Sequence, residues 1–464
     1  MARSARSART PLRERVRAVN AAVGGASARA GRGTAGRLDD RLGMSRALRP
    51  QLRKLFPDHW SFLLGEIALY SFAVLVLTGT FLTFFYRPSM DVVVHQGAYP
   101  QLRGLAMPEA YDSVLRLSLE VRGGLLMRQI HHWAAVFFVL AIFSHLMRVF
   151  FTGAFRRPRE LSWLTGIALL ALALVESFLG YSLPLDQVSG AGLRMVDGLL
   201  LAVPVVGTYL SLFLFGGEFP GDVVIPRLFT GHVLLVPGLL AALVPLHALA
   251  LVWVQKHSEF PLRGRSEDQV VGGPFYPFFI AKTAAFFLFT FGVIALFGAF
   301  GSVNPVWLYG PYTPAAASQE TQPDWYFGFL DGALRLMPGW DVNVLGHTLS
   351  LGPLVPMLVL GLLFALLTFY PFIERRFTGG RDWHHLLQYP SDAPVRTAIG
   401  VAYVTFFAVL WLASGAGSLH HRLAIPPEPL IWALRAALLL APALAYGVTL
   451  SLARRRRHRR NSPG

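Results

Sequence analysis

Residues 128–148 read RQIHHWAAVFFVLAIFSHLMR, an apolar run bounded by two arginines in which His131 and His145 stand fourteen residues apart. At about 100° per residue, fourteen steps bring the second histidine back to within about 40° of the first, while about 1.5 Å of rise per residue separates them by about 21 Å. One helix face therefore carries two imidazoles at two depths. Residues 227–256 repeat the design with His232 and His247, fifteen apart, in a segment that also holds Pro237 and Pro245, residues able to reset a helix's local winding. Two such helices running the same way make two layers of paired nitrogen ligands. His132 points about 100° away from His131 and is read as a packing residue.

The surrounding chain has 464 residues, 54% of them hydrophobic and 15% charged, with several apolar runs long enough to cross a bilayer. That composition describes a polytopic membrane protein. The net charge of +16 is confined to the ends: residues 1–54 hold 14 basic and 3 acidic side chains and residues 454–460 add six arginines, leaving the body between them at −1. Such tails fit the positive-inside rule and anionic lipid headgroups. No basic and aromatic groove pattern accompanies them, which sets nucleic acid aside as a partner. The absence of cysteine excludes disulfides, iron–sulfur clusters, thiolate metal sites and covalently attached haem. No apolar stretch precedes Trp60, so the opening is read as a cytoplasmic tail rather than a signal peptide.

Eight spans are expected, at 61–85, 132–151, 162–183, 229–254, 278–300, 353–372, 395–413 and 430–452. Basic clusters follow the second (Arg156, Arg157, Arg159), fourth (Lys256, Arg263, Arg265) and sixth (Arg375, Arg376, Arg381) spans, which puts every even end and both termini inside. Residues 199–215 are apolar but short and contain Pro204, so 183–227 is read as surface or re-entrant helix on the outer side. The expected architecture is all-α: a basic tail (1–54), a four-span di-haem bundle (55–258), a polar linker (259–274), a second four-span module (275–453) and a basic tail (454–464).

Equal depths on two parallel helices favour bis-histidine haem ligation by His131, His145, His232 and His247 over isolated packing histidines. A zinc site would need three or four ligands at one depth. Gly65 and Gly79, and Gly166 and Gly180, are also fourteen apart, a regularity without use in a proton relay and expected where backbone must approach a flat macrocycle. Arg128 and Arg148 each lie three residues from a candidate ligand, placed to pair with haem propionates. His59, His95, His257, His347, His384, His385, His420, His421 and His458 take no ligand role.

The run 128–160 with RQIHHW, SHLMR and TGAFRRPRE, together with GYSLPLDQ at 180–187 and RLFTGH at 227–232, resembles cytochrome b of the cytochrome bc complexes. PDWYFGFLDGALRLMP at 323–338 resembles that family's Pro-Glu-Trp-Tyr quinol-site signature. The likeness covers roughly 56–376. The uninterrupted chain is similar to the fused form of the family, the fifteen-residue histidine gap is like the split photosynthetic branch, and the basic tail with Asp in the signature looks most like the actinobacterial branch.

The resemblance implies a quinol:cytochrome c oxidoreductase subunit of the cell membrane that translocates protons. In it, His131 and His232 would ligate a low-potential haem b near the outer face, and His145 and His247 a high-potential haem b nearer the cytoplasm. It implies an outer quinol pocket at Pro323, Asp324, Trp325, Tyr326 and Tyr181, with Asp324 in the place of a proton-accepting glutamate. Lys282 falls at the inner quinone site, where Thr283 departs from the family's common aspartate. The quinol is expected to be menaquinol, and the partners a Rieske iron–sulfur subunit, a cytochrome c subunit and a terminal oxidase, in a dimeric complex. Two other readings stay open: a di-haem membrane anchor of another oxidoreductase, which leaves the rear spans unexplained, and a histidine-relay transporter without haem.

Overall fold

The computed structural model describes residues 41, 43, 49–253, 255, 258–261, 265–316, 322–380 and 382–461. Lys256, His257, Arg263, Arg381 and most of the basic N-terminal tail lie outside these. The described elements are β1 (Leu55–Phe56), α1 (Leu63–Thr83), β2 (Val92–Val94), β3 (Ala106–Pro108), α2 (Glu109–Leu119), α3 (Gly124–Phe151), α4 (Glu160–Ser182), α5 (Gln187–Leu201) and α6 (Gly207–Phe215). They continue with α7 (Val224–Trp253), β4 (Gly273–Pro274), α8 (Ile280–Phe300), α9 (Val306–Tyr309), α10 (Gly328–Leu336), β5 (Asp341–Val344), β6 (His347–Ser350), α11 (Leu351–Thr378), α12 (Pro394–Ser414), α13 (Ala416–Leu423) and α14 (Pro427–Asn461).

The chain is an all-α polytopic membrane protein, with eight helices long and apolar enough to cross a bilayer among the described residues: α1, α3, α4, α7, α8, α11, α12 and α14. Leu77, Leu439 and Leu444 are each at least two-thirds exposed, as side chains facing hydrocarbon rather than water can be. Several spans start earlier or run further than hydropathy alone indicates. Helix α3 begins at Gly124, behind the left-handed Gly123, and α14 continues through its arginine run. Charged residues end an apolar window without ending a helix, because long basic side chains extend into the interface.

By its contacts the chain divides into two units. In the smaller, which holds the described residues up to Phe56 together with 271–282, β1 pairs antiparallel with β4 and Phe56 stacks on Phe279. In the larger, α1 packs along α3, α4 along α7, and α12 against both α10 and α14. Buried clusters sit between them: Val74, Ile130, Ala134 and Ile294 in one, and Leu146, Phe150, Trp163, Ile167 and Leu367 in another. The segment 183–227 supplies no ninth span. It breaks at Pro204, with Val205 in the left-handed region, into α5 and the nine-residue α6. Leu193 and Phe215 from those helices share a core with Met107, Tyr111, Ile225 and Val306, tying three connecting segments into one cap.

Helix α7 is not regular. After an α-helical start, Val224–Thr230, two π-helical stretches, Gly231–Leu235 and Leu246–Trp253, flank an α-helical middle, Val236–Pro245. Proline at 245 cannot donate to the preceding turn, and an i→i+5 turn spends an extra residue on each revolution. The rewinding expected from the fifteen-residue gap is therefore present, and each wide stretch contains one of the two histidines.

Candidate functional site

Each regularly spaced glycine meets one of the regularly spaced histidines. A Cβ built on Gly79 would lie 3.1 Å from Cε1 of His131, and one on Gly65 3.3 Å from Cε1 of His145. On the other pair of helices, Gly180 would approach Cε1 of His232 at 2.5 Å and Gly166 that of His247 at 3.4 Å. Because α1 runs against α3, and α4 against α7, glycines fourteen apart match histidines fourteen apart on α3 and fifteen apart on α7, the first glycine meeting the second histidine in each case. The close approach expected of these glycines is thus made by imidazole rings.

The His131 and His232 rings face each other with centroids 6.2 Å apart and planes nearly perpendicular. Metal–imidazole bonds of about 2 Å fit one metal atom between rings at that separation. The outer nitrogens are partly engaged: Thr78 Oγ1 is 2.9 Å from His131 Nδ1 and Thr165 Oγ1 is 3.0 Å from His247 Nδ1. Glu176 Oε1 is 2.9 Å from His232 Nδ1, with the ring turned out of line for a formed hydrogen bond. Among the described residues no group of three or more His, Cys, Asp or Glu is arranged to hold a bare metal ion, so the donor set fits a metal whose remaining ligands come from a macrocycle. Arg128 Nη2 donates to the Asn304 carbonyl at 2.7 Å, while Arg128 Nε and Arg148 Nε and Nη2 are buried without hydrogen-bond partners. Such orphaned guanidinium donors fit the carboxylates of a haem.

A cavity of about 420 Å³ opens beside the first histidine pair and is lined by Gly79, Arg128, His131, His132, Glu176, Gly180, Tyr181, His232, Asp324 and Tyr326. The Tyr326 hydroxyl lies 3.0 Å from the Ser177 carbonyl and 3.1 Å from Asp324 Oδ2. Burial pushes the Asp324 carboxyl up to about 6 and raises the Tyr326 hydroxyl well above its usual range. Asp186, which caps α5 by accepting from the backbone of Val188 and Ser189, is also pushed up to about 6 by burial. The Tyr181 hydroxyl is buried and has no hydrogen-bond partner. Trp325 turns the other way, its ring 5.7 Å from that of Trp411, and neither it nor Pro323 lines the cavity.

The family model described as cytochrome b (N-terminal)/b6/petB matches residues 136–311. The chain is 48% identical to the cytochrome bc1 complex cytochrome b subunit of Streptomyces coelicolor, over 89% of this chain and 75% of that protein. It is 50% identical to the Mycobacterium leprae protein of the same description, with the same coverage. The chain belongs to the cytochrome b family. Its fold is also that of a chain from a hyperthermophilic respiratory complex III, with a TM-score of 0.65 at 22% identity, covering 91% of this chain and 98% of the other. Cytochrome b of this kind is a membrane-embedded component of quinol:cytochrome c oxidoreductase and belongs to a family that binds haem b and quinone.

Three groups of this cytochrome b escape the spacing argument. His132, expected as a packing residue, lines the cavity with Nε2 3.6 Å from Asp324 Oδ2; the 100° offset turns it toward a loop that arrives from nearly 200 residues away. Glu176 is the one charged residue between Ser162 and Leu183, and a lone carboxylate inside a span is itself a signal of function. Glu66 accepts from the Tyr70 hydroxyl at 2.7 Å and the Thr283 hydroxyl at 3.4 Å, a grouping that no local motif announces. Lys282 lies half-buried in the first turn of α8.

Proposed function

We propose that this chain oxidises a quinol in the cavity beside His131 and His232 and passes electrons across the membrane. The observation that carries the reading is the convergence, in one cavity, of a facing histidine pair with Asp324, Tyr326 and Tyr181. When bound, two haems b, one held by His131 and His232 and the other by His145 and His247, would supply one-electron carriers at two depths. Arg128 and Arg148 would hold their propionates. Asp324 is placed to take a proton from the quinol, since a carboxyl pushed up to about 6 is a serviceable acceptor near neutral pH. The Tyr326 hydroxyl has one hydrogen to give to that carboxylate or to the Ser177 carbonyl, and His132 stands beside the carboxylate at 3.6 Å.

In this reading 55–258 is the di-haem module, 275–453 the second module, and both termini face the cytoplasm, with Lys282 at an inner quinone site. The quinol is menaquinol. The chain lacks cysteine and cannot itself hold an iron–sulfur centre, so a Rieske subunit and a cytochrome c subunit complete the electron path, in a dimeric complex joined to a terminal oxidase. An optical redox titration of the purified complex tests the central claim. Two b-type components are expected, and replacing His145 or His247 should remove mainly one of them; a protein without b-type absorbance would refute it.

A further inference from the structure

Four candidate ligand histidines do not share one environment, and the difference lies at Nδ1. His145 Nδ1 is buried without a hydrogen-bond partner, and His247 Nδ1 faces the Thr165 hydroxyl at 3.0 Å. His131 Nδ1 faces the Thr78 hydroxyl at 2.9 Å; that hydroxyl gives its hydrogen to the Val74 carbonyl at 2.7 Å, so toward the imidazole it can only accept. His232 Nδ1 alone faces a carboxylate oxygen, Glu176 Oε1, at 2.9 Å, within hydrogen-bond reach although the ring is turned out of line for a formed bond.

The carboxylate belongs to the seat of this one ring. Glu176 stands four residues before Gly180, on the same helix face, and a Cβ at 180 would lie 2.5 Å from the His232 ring. The glycine lets the imidazole approach α4, and the position one turn earlier presents an acceptor to its outer nitrogen. The positions four residues before Gly65, Gly79 and Gly166 are Ser61, Leu75 and Ser162, none of them acidic. Both side chains are mostly buried, at 18% and 16% exposed, and Glu176 Oε2 has no hydrogen-bond partner. Nothing competes for this carboxylate in the described structure.

We propose that Glu176 is a positioning residue that lowers the reduction potential of the haem held by His131 and His232, by accepting a hydrogen bond from Nδ1–H of His232 once ligation turns that ring into line with the carboxylate 2.9 Å away. The proposal rests on the haem ligation proposed above. A carboxylate accepts more strongly than a hydroxyl, and an acceptor on the outer nitrogen of a ligating imidazole makes the ligand more electron-donating. Such a ligand stabilises the oxidised iron relative to the reduced. The His145 and His247 pair, with the Thr165 hydroxyl and the Ser162 backbone as the partners of His247 and no carboxylate, receives less of this.

The test is a potentiometric titration of the b-type components in the purified complex, comparing wild type with Glu176→Gln, Glu176→Asp, Thr78→Val and Thr165→Val. In Glu176→Gln the component that Thr78→Val also moves should shift upward. At a fixed ambient potential its ratio of oxidised to reduced form should fall about tenfold, equivalent to about 59 mV for a one-electron couple. Glu176→Asp should move it back toward wild type, and Thr165→Val should move only the other component. An unmoved component in Glu176→Gln, an equal shift of both components, or loss of that haem in Glu176→Gln would each overturn the proposal. The last would make Glu176 a structural support instead of a tuner. A wild-type complex without two b-type components would instead refute the ligation on which the proposal rests.

Discussion

A methyl group on Gly180 would stand 2.5 Å from Cε1 of His232, the tightest of the four glycine–histidine approaches, whereas one on Gly166 would meet His247 at an ordinary 3.4 Å. These two substitutions are chemically identical and should differ in effect. Gly180→Ala must push the ring or the helix aside, an overpacking cost of about 1–3 kcal/mol. It is expected to reduce occupancy of the haem proposed for His131 and His232. Gly166→Ala should leave both components in place. Reduced-minus-oxidised spectra with haem quantitation decide it, and equal losses in the two variants would contradict the seating described here.

Asp324→Asn should slow quinol oxidation about a hundredfold, at the lower end of what general acid–base groups contribute, with both haem spectra intact. Burial raises the Asp324 pKa from 3.8 to about 6, so the fold favours the neutral carboxyl, and the charged form costs stability increasingly as pH climbs between those values. The proposed acceptor, Asp324, must be unprotonated, so wild-type turnover should rise with pH through about 6. Stopped-flow or steady-state rates across that interval should show the limb flatten in Asp324→Asn; a limb of unchanged height and position would assign it elsewhere.

Arg396 is almost fully enclosed, donating to Glu374 Oε1 at 3.0 Å and Gln388 Oε1 at 2.7 Å. Its guanidinium also lies over the Phe155 ring at 5.6 Å. Removing one partner of such a pair strands the other charge, at a cost of about 3–5 kcal/mol. Arg396→Leu should therefore lower thermal stability in detergent far more than the double variant Arg396→Leu with Glu374→Leu. Additive losses would show that the two side chains are not coupled.

The histidine and glycine positions are legible in the sequence because they obey the helix period over long, uninterrupted apolar stretches. Their partnership is not: no spacing within α1 states that Gly79 meets His131, since that depends on the antiparallel packing of two helices. Asp324 can be placed by its motif, yet the contact with His132 joins residues 192 positions apart and depends on how a loop folds over α3. Position 132 looks idle when only its own helix is considered. Trp325 is the reverse case, a motif residue whose ring packs toward Trp411 and away from the cavity. The break near Pro204 is legible because proline and a short apolar run leave too little length for a crossing.

The wide turns of α7 separate two quantities that are usually interchangeable, the number of residues between two ligands and the distance between them. One extra residue is absorbed in the width of the turns rather than as length. A count of fourteen or fifteen between paired histidines therefore records how a helix is wound. Taken alone, that count is a poor marker of ancestry or of layer spacing, and chains that differ by one residue there can hold the same two layers.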